Sequence, residues 1–472
     1  MGTSRHVQEM GRAMELRRLL QGGPQTAVQL MASLGISQPT LSRTIQNHAG
    51  TVTSYRVSGD RTPHYAALRS LPLGISARQR IYRVLGNGSI EPFAEVEFLA
   101  GGATLERMGS TSRLYAGLPP YMIFSSPSGF LGRQLAQEAA RAQNFPSSLK
   151  DWGDEHHAAY LFTRSLNLPG NLVFGDASLQ LEIDFRRLDP TPTAEKAAHF
   201  AAMASTLKGA AYGSSAGGEQ PKFLGLTEDA GHVIVKFAKR GTRMAELLPL
   251  EHLALRSLAE VGVPSCPTQL LIGGDYVFLE VERFDRIGKS GRVGMLSAGA
   301  VDDEFFGMRD TWPEFAARCE AAKYLSSADA RHVDTMAAFS ELIGNSDRHF
   351  ENISLLIDED GEYARIAPAY DILPMRYASI GGGLDPDLTP IAPRVGTIGA
   401  KPAVWARAAE ATQRFWSAVQ LETLAAPIPE EMRTLAAKNL AVALEFVAPF
   451  LPSKKGSPGG SFDSPGATAL KS

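Results

Sequence analysis

The chain has 472 residues, of which 44% are hydrophobic and 21% charged, and its 47 basic and 50 acidic side chains leave a net charge of −3. This length suffices for two or three domains with cores of their own, while the charge balance of the whole chain carries no information about nucleic acid. With only two cysteines, Cys266 and Cys319, a disulfide framework and a cysteine-based zinc site are excluded.

The N-terminus lacks the basic start and apolar core of a signal peptide. No apolar run approaches the roughly 20 residues that a membrane helix needs. We therefore expect a soluble protein of the reducing cytoplasm that has no membrane partner.

Residues 1–72 have the pattern of a winged helix-turn-helix domain. Residues 25–34 form an amphipathic pattern that ends at Gly35, and a second helix is expected after the N-cap Ser37, with Pro39 in its first turn. Residues 52–57 and 64–68 then resemble two strands joined by a turn at residues 58–60.

The charge of this region favours DNA as a partner. Residues 1–70 contain eight arginines, no lysine and three acidic residues, a local charge of +5 in a chain that is acidic elsewhere. A small helical interaction domain is the alternative interpretation. The side chains expected to reach DNA lie on the second helix and beside the wing: Gln38, Thr40, Ser42, Arg43, Asn47, Arg56 and Arg61.

Residues 75–195 have a mixed pattern without a chemical motif. Strands are expected at 81–85, 95–99 and 172–175, and helices at 130–142 and 156–167. We assign these residues to a second domain, residues 196–452 to a third, and the polar Gly/Ser/Pro/Lys-rich residues 453–472 to a disordered tail.

Residues 196–452 change from a β-rich to a helical pattern. A Gly-rich stretch at 214–222 precedes an expected strand at 233–237, a helix at 248–260 and a strand at 276–281. Four helices are expected after that, at 311–325, 328–343, 403–419 and 430–450. The pattern predicts an α+β fold with a small β-rich lobe followed by a mostly helical lobe.

The segment from Gly344 to Asn352 carries the strongest chemical signal. Asp347 and Asn352 are five residues apart, the spacing of the protein-kinase catalytic loop, and they follow an apolar helix. Asp371 comes 19 residues after Asn352, in a position suited to a second oxygen ligand for Mg²⁺. Taken singly, Asp347 and Asn352 would be ordinary turn residues.

Further parts of a phosphate-handling site precede this segment in the order that a kinase requires. Lys236 lies in an apolar strand, and Glu251 lies on the next helix, where the ion-pair partner of a kinase lysine is found. The Gly-rich stretch lies upstream of both and contains Gly217 and Gly218. It does not match the P-loop pattern, and a Gly-Gly pair alone would indicate only a turn.

Together these segments resemble the HipA family of toxin kinases. The resemblance rests on residues 215–222, 233–237, 281–286, 344–355 and 368–372, and the leading helix-turn-helix makes the chain similar to the YjjJ-like branch. It implies a two-lobed, protein-kinase-like fold and an ATP- and Mg²⁺-dependent serine/threonine kinase.

The resemblance also implies roles for individual residues. Asp347 would be the catalytic base, with His349 beside it, although a structural histidine is an equal alternative. Asn352 and Asp371 would bind Mg²⁺, and Lys236 the nucleotide phosphates. Glu282 and Phe284 would line the adenine hinge, and Ser215, next to Ser214, would be an autophosphorylated regulatory serine.

Partners follow from the resemblance alone. Members of the family act on aminoacyl-tRNA synthetases and normally work with a separate HipB-like antitoxin, whereas this chain has its own expected DNA-binding domain. A homodimer is a further expectation, since winged helix-turn-helix proteins often dimerise. Two alternatives to a protein kinase stay open: a transcription regulator that only senses nucleotide, and an enzyme acting on another phosphate acceptor such as a sugar or a nucleic-acid backbone.

Overall fold

The computed structural model describes residues 2–48, 50–56, 62–210, 220–360, 363–380 and 384–451. The predicted wing turn at 58–60, the Gly-rich residues 211–219 and the predicted tail lie outside these ranges. Within them the chain is a mixture of helices and antiparallel sheets, as predicted.

The first part of the chain consists of three helices and a small sheet. Its elements are α1 (Gly2–Gln21), β1 (Gln25–Thr26), α2 (Ala27–Leu34), α3 (Gln38–Gln46), β2 (Val52–Tyr55) and β3 (His64–Ala67). The sheet has the order β1-β3-β2, and Leu16, Leu30 and Leu41 from the three helices share one buried core with Val52.

The start of α2 differs from the sequence-based expectation. Gln25 and Thr26 pair with β3, which makes the sheet three-stranded instead of two-stranded. Thr26 Oγ1 accepts a hydrogen bond from the Gln29 N–H at 3.3 Å, while Gln29 Oε1 accepts from the Thr26 N–H at 2.8 Å. This reciprocal capping box starts the helix at Ala27, two residues later than the apolar pattern suggested.

The N-terminal sheet is packed directly onto the next part of the chain. The buried carboxylate of Glu97 accepts a hydrogen bond from Thr53 Oγ1 of β2 at 2.6 Å, and Arg107 Nη2 donates to the Thr53 hydroxyl at 2.9 Å. Backbone hydrogen bonds continue the contact, as the Arg69 N–H donates to the Phe98 carbonyl at 2.9 Å. The two parts therefore share a hydrogen-bonded, partly charged junction.

A five-stranded antiparallel sheet of order β7-β6-β5-β4-β8 organises the second part. Phe98, Met122, Phe162 and Phe174 form the centre of its core with four helices. The elements are β4 (Arg78–Val84), β5 (Ile90–Phe98), β6 (Thr104–Met108), β7 (Thr111–Tyr115), α4 (Pro120–Ser125), α5 (Gly129–Gln143), α6 (Asp154–Arg164), β8 (Leu172–Phe174) and α7 (Gly175–Phe185).

A second sheet, of order β11-β12-β10-β9, has one helix on each face. Val235, Phe237 and Phe278 pack with Phe200 of α8 on one face, whereas Ala238 and Leu279 pack with Leu248 of α9 on the other. The elements are α8 (Lys196–Ala210), β9 (Lys222–Thr227), β10 (Gly231–Lys239), α9 (Arg243–Glu260), β11 (Thr268–Gly273) and β12 (Tyr276–Glu282).

The helix α9 begins five residues earlier than predicted. Thr242 is its N-cap and accepts a hydrogen bond from the Ala245 N–H at 3.4 Å. Pro249 lies inside the helix, although proline is most common in a first turn. The earlier start brings Glu251 to the middle of the helix.

The rest of the described chain is mostly helical around a large aromatic core. Trp312, Trp405, Trp416, Phe339 and Phe415 are among its fully buried members. The elements are β13 (Arg286–Ile287), β14 (Gly291–Arg292), β15 (Gly294–Ser297), α10 (Ala298–Phe305), α11 (Trp312–Ala321), α12 (Ser327–Ile343), β16 (Ser354–Ile357), β17 (Tyr363–Ile366), α13 (Pro402–Leu421) and α14 (Glu430–Val447). The predicted arrangement of a small β-rich part followed by a helical part is thus observed.

Candidate active site

The helix α12 ends where the sequence predicts a catalytic loop. Gly344 has φ 75°, a left-handed conformation that favours glycine, and its N–H donates to carbonyl groups of the last helical turn. The chain then turns tightly, with the Asp347 N–H donating to Asn345 Oδ1 at 3.0 Å. Asn352 Nδ2 donates to the Asp347 carbonyl at 2.9 Å, so that hydrogen bonding inside the loop links these two residues.

Lys236 of β10 lies in a buried cluster of charges on the α9 face of the sheet. Its Nζ is 2.6 Å from Glu251 Oε1 and also contacts the Asp371 carboxylate. Burial lowers the pKa of Lys236, but the carboxylates of Asp371 and Glu251 outweigh this effect and raise it above its ordinary value. For the carboxyl group of Glu251, burial acts in the other direction and raises the pKa, and the Lys236 ammonium opposes that rise.

Asp371 belongs to this cluster and directly follows Tyr370, which contacts the catalytic loop. The residue has φ 56°, a left-handed conformation that aspartate adopts more readily than most residues. Its pKa is raised by burial but is held well below its ordinary value by Lys236 and Lys222. The neighbouring Tyr370 hydroxyl donates to the Glu351 carbonyl at 2.9 Å and lies 2.7 Å from Ser354 Oγ.

His349 lies between two carboxylates at the end of the catalytic loop. Its Nε2 is 3.4 Å from Asp347 Oδ1, and its Nδ1 is 3.3 Å from Glu351 Oε2. Hydrogen bonding to Asp347 and Glu351 raises the pKa of His349 to about 10. The imidazole is therefore a cation at neutral pH and contacts the proposed base directly.

The predicted hinge residues divide between two environments. The Phe284 ring packs against Tyr370 with centroids 5.7 Å apart, next to Asp371, whereas Glu282 is exposed at the end of β12. The intervening Arg283 forms a buried ion pair with Asp285 at 2.8 Å and donates to the Asn167 carbonyl at 3.0 Å. This block therefore also anchors the loop before β8.

Most of the Gly-rich stretch at 214–222 lies outside the described residues. Ser215, Gly217 and Gly218 all lie outside the described residues. The stretch ends at Lys222, which lies opposite Lys236 in the antiparallel register of β9 and β10. Lys222 received no role in the sequence analysis, although its place at the end of the quoted motif was a usable signal.

The donor set at this site suits Mg²⁺. Asn352 donates its amide hydrogen to the Asp347 carbonyl, which leaves its side-chain oxygen as the available donor atom. Asp371 supplies a carboxylate, and Mg²⁺ in nucleotide sites takes one or two protein oxygens together with phosphate oxygens and water. Within the described ranges no group of three or more His, Cys, Asp or Glu side chains forms a metal cluster, which a Mg²⁺ site of this kind does not require.

The candidate DNA-contacting residues lie on one helix and at the end of one strand. On α3, Gln38, Ser42 and Arg43 are exposed, as is Asn47, which caps the helix. Thr40 is half-buried, with its hydroxyl 3.1 Å from Ser37 Oγ. Arg56 is exposed after β2, and Arg61 lies outside the described residues.

Most of the sequence of the chain matches a known toxin and two related domain models. The model of the YjjJ-like toxin middle domain matches residues 75–183, and the model of the HipA-like C-terminal domain matches residues 214–439. Toxin YjjJ of Escherichia coli (strain K12) is 30% identical over 445 residues, which cover 90% of this chain and 98% of that protein. The chain belongs to the YjjJ-like toxin family.

Two solved structures show partial likeness to this YjjJ-like chain. HipA of Shewanella oneidensis MR-1, solved with HipB and its operator DNA, is 15% identical, and the match covers 78% of this chain and 97% of that one with a TM-score of 0.48. The Helicobacter pylori proinflammatory kinase CtkA is 11% identical, with 48% and 94% covered and a TM-score of 0.35. The family membership rests on the sequence matches.

Across the described ranges, none of the helices has the length and apolar character needed to span a bilayer.

Proposed function

We propose that this YjjJ-like chain is an ATP- and Mg²⁺-dependent serine/threonine protein kinase. The observation that carries the proposal is the cluster of Lys236, Glu251 and Asp371, which is linked through Tyr370, the neighbour of Asp371, to the Glu351 carbonyl in the loop that holds Asp347 and Asn352. A buried lysine with a helix glutamate, next to an aspartate and a catalytic-loop pair, is the arrangement that phosphoryl transfer requires.

Each residue has a distinct task in this proposal. Lys236 binds nucleotide phosphates, and its contact with Asp371 is one that a phosphate oxygen can replace. Asn352 and Asp371 hold Mg²⁺, which neutralises charge on the phosphates when bound. Asp347 accepts the proton of the attacking hydroxyl, and the cationic His349 orients that carboxylate.

The test is phosphate transfer from labelled ATP to proteins of a cell lysate. We expect Asp347→Asn to lower the transfer rate about a hundredfold or more, because it removes the proton acceptor. The matched control is Asp189→Asn, which changes an exposed aspartate outside the site and is expected to be active. Equal transfer by wild type and Asp347→Asn would disprove the assignment. Nucleotide binding without any transfer by the wild type would instead favour the nucleotide-sensing regulator.

Regulation at Ser215 is a further part of the proposal. A phosphate there adds a charge of about −1.5 to −2 beside the nucleotide phosphates and would repel ATP. Mass spectrometry of protein incubated with ATP should find the phosphate in residues 214–222. Ser215→Ala should prevent it, while Ser214→Ala should leave it in place.

We also propose that residues 1–72 bind DNA through α3. The support is the exposed polar face of α3 together with the local charge of +5. Because β2 is hydrogen-bonded to the neighbouring sheet, deletion of this part would expose a buried junction, and point substitutions are the better test. Arg43→Ala should weaken binding to promoter DNA in anisotropy measurements, whereas Arg414→Ala, an exposed arginine of α13, should not.

Targets and partners follow from family membership alone. We propose a protein substrate, with an aminoacyl-tRNA synthetase as the first to be assayed, and a HipB-like protein as a candidate antitoxin. Phosphorylation of purified synthetases by the wild type and its Asp347→Asn variant tests the first, and co-purification tests the second.

A further inference from the structure

A chain of five charged side chains leads from the catalytic loop to α10. Asp347 contacts His349, and His349 contacts Glu351 through its other ring nitrogen. The second oxygen of Glu351, Oε1, accepts a hydrogen bond from Arg309 Nη1 at 2.6 Å. Arg309 uses its remaining nitrogens on Asp303 of α10, with Nη2 2.6 Å from Asp303 Oδ2.

Arg309 is held from several sides. Its backbone N–H and that of Met308 donate to the buried Asp302 Oδ2, at 2.8 and 2.7 Å respectively. Arg309 has φ 46°, a left-handed conformation that costs energy for an arginine, and these local hydrogen bonds hold the backbone in it. Its guanidinium lies 5.9 Å from the centre of the Phe350 ring, within the range of a cation–π contact.

A glycine provides the space for the Arg309–Glu351 pair. A Cβ atom on Gly299 would lie 2.4 Å from Glu351 Oε1 and 2.6 Å from Arg309 Nη1. Both distances are far below van der Waals contact. Any side chain at this position would therefore displace the ion pair.

The Arg309–Glu351 ion pair should contribute little to the stability of the folded chain. The side chains of Arg309 and Glu351 are 43% and 52% exposed, and exposed ion pairs add little stability. The Asp347 carboxylate is itself 45% exposed, and burial therefore does little to fix it. Its contact with His349 restrains its orientation. A small displacement of a catalytic group is enough to lower a reaction rate strongly.

We propose that Arg309 and Glu351 are positioning residues of the active site, which orient His349 against the base Asp347. The inference rests on the proposed kinase function. Neither residue is expected to contact nucleotide, because both act through His349.

Steady-state kinetics of phosphate transfer test this role. Arg309→Ala and Glu351→Ala should lower kcat about tenfold to a hundredfold and leave the KM for ATP within about twofold, because the Lys236 cluster is unchanged. Gly299→Ala should lower kcat similarly while keeping every charge. Arg309→Lys, which retains a cation for Glu351, should restore kcat to within about fivefold of the wild type.

Arg414→Ala is the matched control. Arg414 forms an exposed ion pair with Glu410 at 2.9 Å on α13, remote in sequence from the loop, and its removal should leave kcat unchanged. Thermal midpoints of all variants should lie within a few degrees of the wild type.

The outcomes separate this inference from the function on which it rests. If Asp347→Asn abolishes transfer but Arg309→Ala, Glu351→Ala and Gly299→Ala retain the wild-type kcat, the positioning role is wrong and the kinase proposal stands. A loss of kcat that follows a loss of thermal stability, without recovery in Arg309→Lys, would also overturn it. Transfer that is absent in the wild type, or equal in Asp347→Asn, would refute the kinase proposal and this inference with it.

Discussion

The sheet β9–β12 has a buried lysine cluster on each face, and the two differ in backbone strain and in their connection to the catalytic loop. On the α8 face, Lys196 Nζ contacts Asp229, Gln269 and Glu280 at 2.7 to 2.9 Å. On the α9 face, Lys236 contacts Glu251 and Asp371, and Asp371 has a left-handed backbone. One oxygen of Glu280 on the α8 face and one of Glu251 on the α9 face have no hydrogen-bond partner.

Burial of a lysine with carboxylates is therefore not sufficient to identify an active site. The Lys196 cluster joins α8 to the sheet, as a structural ion pair does. Each cluster has two carboxylates for one ammonium, but the Lys236 cluster is connected to the catalytic loop through Tyr370. Backbone strain of the kind found at Asp371 is typical of functional sites.

The largest expected effect is the loss of phosphate transfer on substitution of Asp371, which should change stability much less. Asp371→Asn should lower phosphate transfer about a thousandfold, because the proposed Mg²⁺ ligand and its charge are lost. Stability should fall far less than transfer: the lowered pKa of Asp371 means that its charge stabilises the folded chain, but Glu251 still pairs with Lys236 and asparagine also tolerates the left-handed backbone. Transfer assays and urea unfolding measure the two quantities. A large loss of stability with normal transfer would reverse the roles assigned to the two faces.

The opposite result is expected for Lys196. Lys196→Met leaves Glu280 and Asp229 without their cation, and breaking a buried ion pair destabilises a protein by about 3 kcal/mol. The folded fraction of the Lys196→Met protein should have the wild-type KM for ATP, since the α8 face of the sheet does not line the candidate active site. Urea unfolding monitored by tryptophan fluorescence checks the first expectation. A raised KM for ATP at full stability would contradict the second.

The two lysine clusters also show which residues could be singled out from the sequence and which could not. Lys236, Asp347 and Asn352 were predictable because local patterns carry them: an apolar strand, a helix that ends in glycine, and a spacing of five. Lys196 was not, because its partner Glu280 is 84 residues away and nothing in the intervening sequence indicates their contact. The same holds for Arg309 and Glu351, which are 42 residues apart.

Boundaries were less predictable than elements. The helix α2 starts at its capping box and not where its apolar pattern starts, because Thr26 and Gln29 satisfy the free N–H groups of the first turn. The contact between β2 and Glu97 was also missed, since a threonine in a strand and a glutamate in another carry no local sign of pairing. The sequence thus indicated the candidate site residues more readily than the contacts that hold the parts together.

A smaller effect on stability is expected when the pH is lowered. It concerns Asp285, a buried carboxylate that is paired with Arg283 and Arg286. Burial raises the pKa of Asp285, but Arg283 and Arg286 outweigh it and hold the pKa far below its ordinary value. A lowered pKa stabilises the folded protein above the unfolded value of about 3.9, and that contribution is lost as the pH falls below it. The stability difference between wild type and Asp285→Asn should narrow by up to about 1.4 kcal/mol per pH unit below that value. Urea unfolding between pH 5 and 3 would contradict this if the difference stayed constant.

The smallest expected effect concerns Tyr370, the link that the Lys196 cluster lacks. Tyr370→Phe removes the hydrogen bond to the Glu351 carbonyl and the contact with Ser354, which should cost about 1 kcal/mol of stability and lower kcat a few-fold. The matched control is Tyr377→Phe, since the Tyr377 hydroxyl also makes two hydrogen bonds, to the Thr389 carbonyl at 2.8 Å and from Asn439 Nδ2 at 3.0 Å. Both variants should lose similar stability, but only Tyr370→Phe should lose kcat. Equal kcat values in the two variants would mean that Tyr370 supports folding alone, and that the Lys236 cluster and the catalytic loop keep their geometry without this link.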